Sequence, residues 1–187
     1  MFKYEKFLEF PVQISKPDLD YAKLLMAQVG GYAGELGAAL RYFFQSSTMP
    51  TENGKLLLLE IATEELAHIE ILCEMIKQLA QDNNINDIIN SSYVSTFAEH
   101  KYGLYPTDAS GVPFSVTVFA SSGDYLADLV EDMAAEQKAR AVYENLMDLT
   151  DNQEILAPLS FLRQREIIHF QRFSELYEIY KKEKFSK

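Results

Sequence analysis

Two short stretches of the chain, Glu65-Leu66-Ala67-His68 and Glu166-Ile167-Ile168-His169, pair a carboxylate with an imidazole three residues apart. On a helix that spacing places both groups on one face. The chain has three histidines, and two of them fall in these frames. Thirty residues before Glu65 stands Glu35, and thirty before Glu166 stands Glu136. The order Glu, Glu-x-x-His, Glu, Glu-x-x-His on successive helices is the side-chain set with which a four-helix bundle holds two metal ions. Four carboxylates and two imidazoles suit manganese or iron, and spacing alone does not choose between them; zinc usually takes fewer, softer ligands. A carboxylate can bridge two ions, so that a two-electron redox change is shared between them.

Helical periodicity must turn these groups inward. Leu58, Ile61, Glu65, His68, Leu72, Met75 and Leu79 follow alternating three- and four-residue steps, the seam of an antiparallel bundle. Leu159, Leu162, Glu166, His169, Phe173, Leu176 and Tyr180 repeat that seam position for position. In both, a glutamate and a histidine replace leucine-like residues, where a polar group is destabilising unless paired or bound to metal. Glu35 shares a stripe with Leu24, Gln28, Gly31, Ala38 and Tyr42. Glu136 has Glu131, Asp132 and Glu144 as neighbours. It is preferred because it falls on the stripe of Leu129, Met133, Arg140, Tyr143 and Met147 and repeats the thirty-residue offset.

The helices are expected at about 17–47, 52–82, 122–150 and 152–183. Ser15-Lys16-Pro17-Asp18 reads as the first start, Thr51 as the second cap, Ser121-Ser122-Gly123-Asp124 as the third opening, and Asp151-Asn152-Gln153-Glu154 as a capping box. Gly30, Gly31, Gly34 and Gly37 crowd the first helix, each at about 1 kcal/mol against alanine. They make room beside Glu35 for a neighbouring helix, solvent or a small substrate, or else they mark a break between two helices. Residues 1–16 form an N-terminal arm, and 83–121 form a long crossover between the second and third helices. His100 lies in that crossover and reads as a surface or interface residue. Tyr42, two turns beyond Glu35 on the same face, could reach a ligand carboxylate as a hydrogen-bond donor.

The 187 residues, 48% hydrophobic and 24% charged, describe one globular domain over 1–187. A formal charge of −11 argues against nucleic acid and anionic membrane surfaces as partners. Cys73 is the single cysteine, so no intrachain disulfide can form; it reads as a buried, inert thiol in a reducing compartment. The start, MFKYEKFLEF, lacks the apolar run of a signal peptide, and no stretch matches a membrane span. A Gly-rich phosphate loop, a cysteine pair and a Ser-His-Asp set are all absent from the sequence.

Glu35 in its glycine-rich helix, Glu65-Leu66-Ala67-His68, Glu136-Gln137-Lys138-Ala139-Arg140 and Arg163-Gln164-Arg165-Glu166-Ile167-Ile168-His169-Phe170 together resemble the manganese catalases. The match is nearest to the short subgroup found as spore-coat proteins of endospore-forming bacteria, and it covers essentially the whole chain. The resemblance implies an all-α, ferritin-like four-helix bundle whose dimanganese centre converts hydrogen peroxide to water and oxygen. It further implies a homo-oligomer, expected as a hexamer, in the cytoplasm or in the spore coat beside other coat proteins. Carried over, Glu35, Glu65 and His68 bind one manganese, Glu65 bridges to the second, and Glu136 and His169 complete it. Glu166 then stands outside the ligand set as a base that moves protons; the residues alone would make it a sixth ligand, as in di-iron bundles. Larger members continue past the fourth helix into a tail that wraps neighbouring subunits, and can carry an arginine where Ala135 stands here. An iron-binding ferritin-like oxidase and a structural coat protein with a vestigial site are the alternatives.

Overall fold

Helices with one apolar stripe bury it only against one another. The structure, a computed structural model describing residues 7–118 and 121–185, does so as a four-helix bundle. Its helices are α1 (Leu19–Gly30), α2 (Glu35–Gln45), α3 (Glu52–Ala80), α4 (Ile85–Ile89), α5 (Val94–His100), α6 (Tyr125–Met147) and α7 (Gln153–Phe185). Together α1 and α2 fill one position of the bundle, and α3, α6 and α7 fill the other three. Among the described residues there is no strand; an isolated bridge joins Thr107 and Pro113 in the crossover. Residues 1–6 of the expected arm and 119–120 of the expected crossover lie outside the described residues.

The first helix departs from the single span 17–47. It stops at Gly30 and resumes at Glu35. A Cβ on Gly31 would sit 2.3 Å from the Ala27 carbonyl oxygen, and one on Gly34 would sit 2.9 Å from that of Gln28, so this turn requires glycine. The break makes Glu35 the first residue of α2, where free backbone N–H groups and the helix dipole favour a carboxylate. Gly30 meets the crossover instead of a helix: a Cβ there would lie 2.7 Å from the Thr107 nitrogen. The cap of α1 is Asp18, which accepts from the Tyr21 N–H at 2.9 Å, while Ser15 binds Glu154. Thr51, Asp124 and Asn152 cap α3, α6 and α7.

Two apolar clusters fix the helix directions. One contains Leu25, Leu72, Met75, Leu79, Tyr143, Leu146, Leu159 and Leu162; the other contains Ala38, Leu58, Ile61, Leu129, Phe173, Leu176 and Tyr180. The chain passes from the first cluster to the second along α1–α2 and α7, and from the second to the first along α3 and α6. Because α3 and α6 run the same way, residues 81–124 must return along the bundle, carrying α4 and α5. Between the two clusters lies a layer of charged side chains.

Candidate metal centre

All six predicted residues meet in that layer, each at most 1% exposed. Glu65 and His68 come from α3, Glu166 and His169 from α7, Glu35 from α2 and Glu136 from α6. Potential ligand atoms of Glu35, Glu65, His68 and Glu166 all lie within 4.8 Å of one another, as do those of Glu65, Glu136, Glu166 and His169. Glu65 belongs to both groups by more than proximity. Its Oε2 lies 2.7 Å from His68 Nδ1 and its Oε1 lies 2.8 Å from His169 Nδ1. One carboxylate thus reaches into both half-sites with one oxygen each. Glu35 is 3.7 Å from His68 Nδ1, Glu136 is 3.6 Å from His169 Nδ1, and Glu166 Oε1 is 3.8 Å from His68 Nδ1.

Buried polar atoms normally find hydrogen-bond partners. Here Glu35 Oε2, Glu65 Oε1, Glu136 Oε2, Glu166 Oε1 and His169 Nδ1 have none. Inward-facing lone pairs in such number are what a pair of hard cations satisfies, so the residues fit a dinuclear metal group. Without cations, protons do the neutralising. Burial, then the charge of Glu65, pushes Glu35 up to about 8. Burial and Glu65 likewise raise Glu136. Burial, then Glu35 and Glu65, carries Glu166 well above the carboxylate range. Glu65 goes the other way: burial would raise it, but the imidazoles of His169 and His68 hold it below. His169 rises to about 12: burial would lower it, but the carboxylates of Glu65, Glu136 and Glu64 around the ring outweigh that effect.

Two tyrosines brace the outer carboxylates crosswise. Tyr42 on α2 donates to Glu136 Oε1 on α6, and Tyr143 on α6 donates to Glu35 Oε1 on α2. Tyr42 reaches a carboxylate as its position suggested. Sequence reasoning missed Tyr143, although it follows Glu136 by seven residues just as Tyr42 follows Glu35. It also missed Glu64, which faces the outer nitrogens of both imidazoles.

Other placements differ from expectation. On α6 the buried stripe is Leu129, Asp132, Glu136, Ala139, Tyr143 and Leu146, whereas Met133, Arg140 and Met147 are half-buried. Asp132 is fully buried one turn before Glu136, and burial raises its carboxyl well above the usual range. Cys73 is half-buried, and burial pushes its thiol up, away from the reactive thiolate. His100 is exposed, 3.6 Å from Glu99 and stacked on Tyr105, away from the centre.

Comparison with known proteins bears on the whole chain. The family described as manganese containing catalase matches residues 1–187. Protein CotJC of Bacillus subtilis is 42% identical over 187 residues, covering 100% of this chain and 98% of its own length. A probable manganese catalase of Clostridium acetobutylicum is 34% identical over 177 residues, covering 94% of this chain and 79% of its own. Among solved structures, KatB, a manganese catalase from Anabaena, superposes with a TM-score of 0.90 at 32% identity, covering 97% of this chain and 82% of that one.

Proposed function

Since the chain belongs to the manganese-containing catalase family, we propose that it is itself a dimanganese catalase that disproportionates hydrogen peroxide to water and oxygen. The observation that carries the reading is Glu65, buried between two imidazoles with one oxygen toward each. In this reading Glu35, Glu65 and His68 hold one ion, and Glu65, Glu136 and His169 hold the other. A manganese pair supplies the two-electron redox change that takes one peroxide to water and another to oxygen.

The rest falls to the protein. Turnover requires two protons to leave the peroxide that becomes oxygen and two to reach the one that becomes water. A buried carboxyl whose pKa is raised well above the usual carboxylate range can hold such a proton between the two events. Glu166 meets that description: its Oε1 has no hydrogen-bond partner, and its pKa is strongly raised. Tyr42 and Tyr143 keep Glu136 and Glu35 oriented, and the apolar clusters above and below exclude bulk water. Glu166→Gln should therefore keep two metal ions per chain and lose most oxygen evolution. Loss of metal in that variant would make Glu166 a ligand and favour the di-iron-like reading. Metal analysis of protein produced with both manganese and iron available, with an oxygen-electrode assay on the same sample, separates a catalase from an iron oxidase. Oxygen evolution no faster than that of free manganese would favour a structural coat protein.

We assign the protein to a homo-oligomer, a hexamer by family resemblance. Support comes from Phe43 and Leu66, more than half exposed beside an apolar groove between α2 and α3. Light scattering on the purified protein tests this. No helix among the described residues is long and apolar enough to cross a membrane. Fractionation of sporulating cells distinguishes the cytoplasm from a coat layer shared with other coat proteins.

A further inference from the structure

One carboxylate outside the six touches both halves of the centre from behind. Glu64 is next to Glu65 on α3, turned about 100° around the helix. It therefore faces the outer edge of the imidazole pair. Its Oε2 lies 3.3 Å from His169 Nε2 and its Oε1 lies 3.8 Å from His68 Nε2. The two rings are nearly parallel, at 20°, with centroids 5.7 Å apart, so one carboxylate spans both edges. Arg165, one residue before Glu166 on α7, donates from Nε to Glu64 Oε1 and ties the carboxylate across to the fourth helix. Glu9 from the N-terminal arm also faces His68 Nε2, at 3.8 Å, but reaches no second imidazole.

An imidazole offers a metal one lone pair when its other nitrogen carries the proton, and the partner of that N–H sets the choice. Both Nδ1 atoms here face Glu65 and the interior, and both Nε2 atoms face Glu64. We propose that Glu64 is a positioning residue that accepts from the Nε2–H of His68 and of His169 together, holding both rings with Nδ1 inward and coupling the two half-sites. The proposal rests on the dinuclear reading. Glu65 ties the rings from inside, and Glu64 does the same from outside.

Glu64→Gln tests it, because glutamine keeps the volume and one acceptor oxygen but turns an N–H donor toward one of two N–H donors. The readouts are manganese affinity and stoichiometry by chelator competition, and the exchange-coupled Mn(II) pair signal by electron paramagnetic resonance. The wild type should bind two ions. In Glu64→Gln, affinity for both should fall together by about 10–100-fold, with an altered pair signal. Arg165→Gln, which removes the anchor and leaves Glu64 in place, should give a smaller loss in the same direction. Wild-type affinity and an unchanged signal in Glu64→Gln would overturn the assignment, as would weakening of one half-site alone. A wild-type chain that binds no metal pair would instead overturn the dinuclear reading beneath it.

Discussion

Manganese loading should be steeply pH-dependent, because protons occupy the metal-free site. Glu35 titrates at about 8, raised first by burial and then by the charge of Glu65. His169 is pushed up to about 12, since the carboxylates of Glu65, Glu136 and Glu64 overcome the opposing effect of burial. At pH 7, then, Glu35 is protonated by roughly ten to one and His169 almost fully. Each must lose its proton to offer a lone pair to a cation, so loading displaces at least two protons and affinity rises about tenfold per pH unit for each. From pH 6 to pH 7 that is about a hundredfold, or about 2.7 kcal/mol. Two is a floor, because His68 and Glu136 also hold protons above their ordinary values. Beyond pH 8 Glu35 has already given up its proton, and the slope should ease.

The assay is a chelator-competition titration with Mn(II) at pH 6, 7 and 8, paired with proton release into a weakly buffered indicator solution. A slope below one proton per chain between pH 6 and 7 would refute the idea that protons neutralise this centre. The same assay addresses Glu166. A group that keeps its proton as a carrier leaves the count unchanged in Glu166→Gln; a sixth ligand would lower it by one.

Metal-free protein should show an inverted stability profile. Glu35 and His169 both bind a proton more tightly folded than unfolded. Their contributions are full below the unfolded values of 4.5 and 6.5 and fade as pH rises toward about 8 and 12. Calorimetry should therefore find its Tm falling between pH 5 and 8, while that of the loaded protein rises. Tyr143→Phe strands a buried Glu35 oxygen and Tyr42→Phe a buried Glu136 oxygen; each should destabilise by about 1–3 kcal/mol and weaken manganese binding about tenfold, read by denaturation and competition titration. Phe173→Ala opens a void in the cluster beyond His169 and should lose about 3–5 kcal/mol in urea unfolding, with two metals still bound.

The seams of α3 and α7 could be read from the chain because apolar residues and the buried Glu and His residues share one strict spacing. On α6 the same logic misled. Its buried stripe carries Asp132 and Ala139, a carboxylate and a small residue, while the more conspicuous Met133 and Met147 are half-buried. Periodicity fades when the core face is itself polar. The break after Gly30 is one of two readings of the glycine run, and periodicity does not favour it: Gly31 and Glu35 are four residues apart, so the stripe stays in register across the turn. Glu64 could not be singled out, since one helical step off the stripe normally means solvent, and only the second nitrogen of each imidazole gives it a task.

As text the two Glu-x-x-His frames are interchangeable, and tertiary placement is what separates them. Glu65 lies between both rings, at 2.7 and 2.8 Å, and the two imidazoles hold it ionised. Glu166 lies within reach of both groups of potential ligand atoms but approaches His68 only to 3.8 Å, among three other carboxylates, and burial with their charge raises its carboxyl well above the usual range. An anion held between two imidazoles and a carboxyl with a raised pKa beside them would suit the bridge and the proton carrier proposed above. The same four-residue frame supplies both because charge state is set by neighbours and not by the motif.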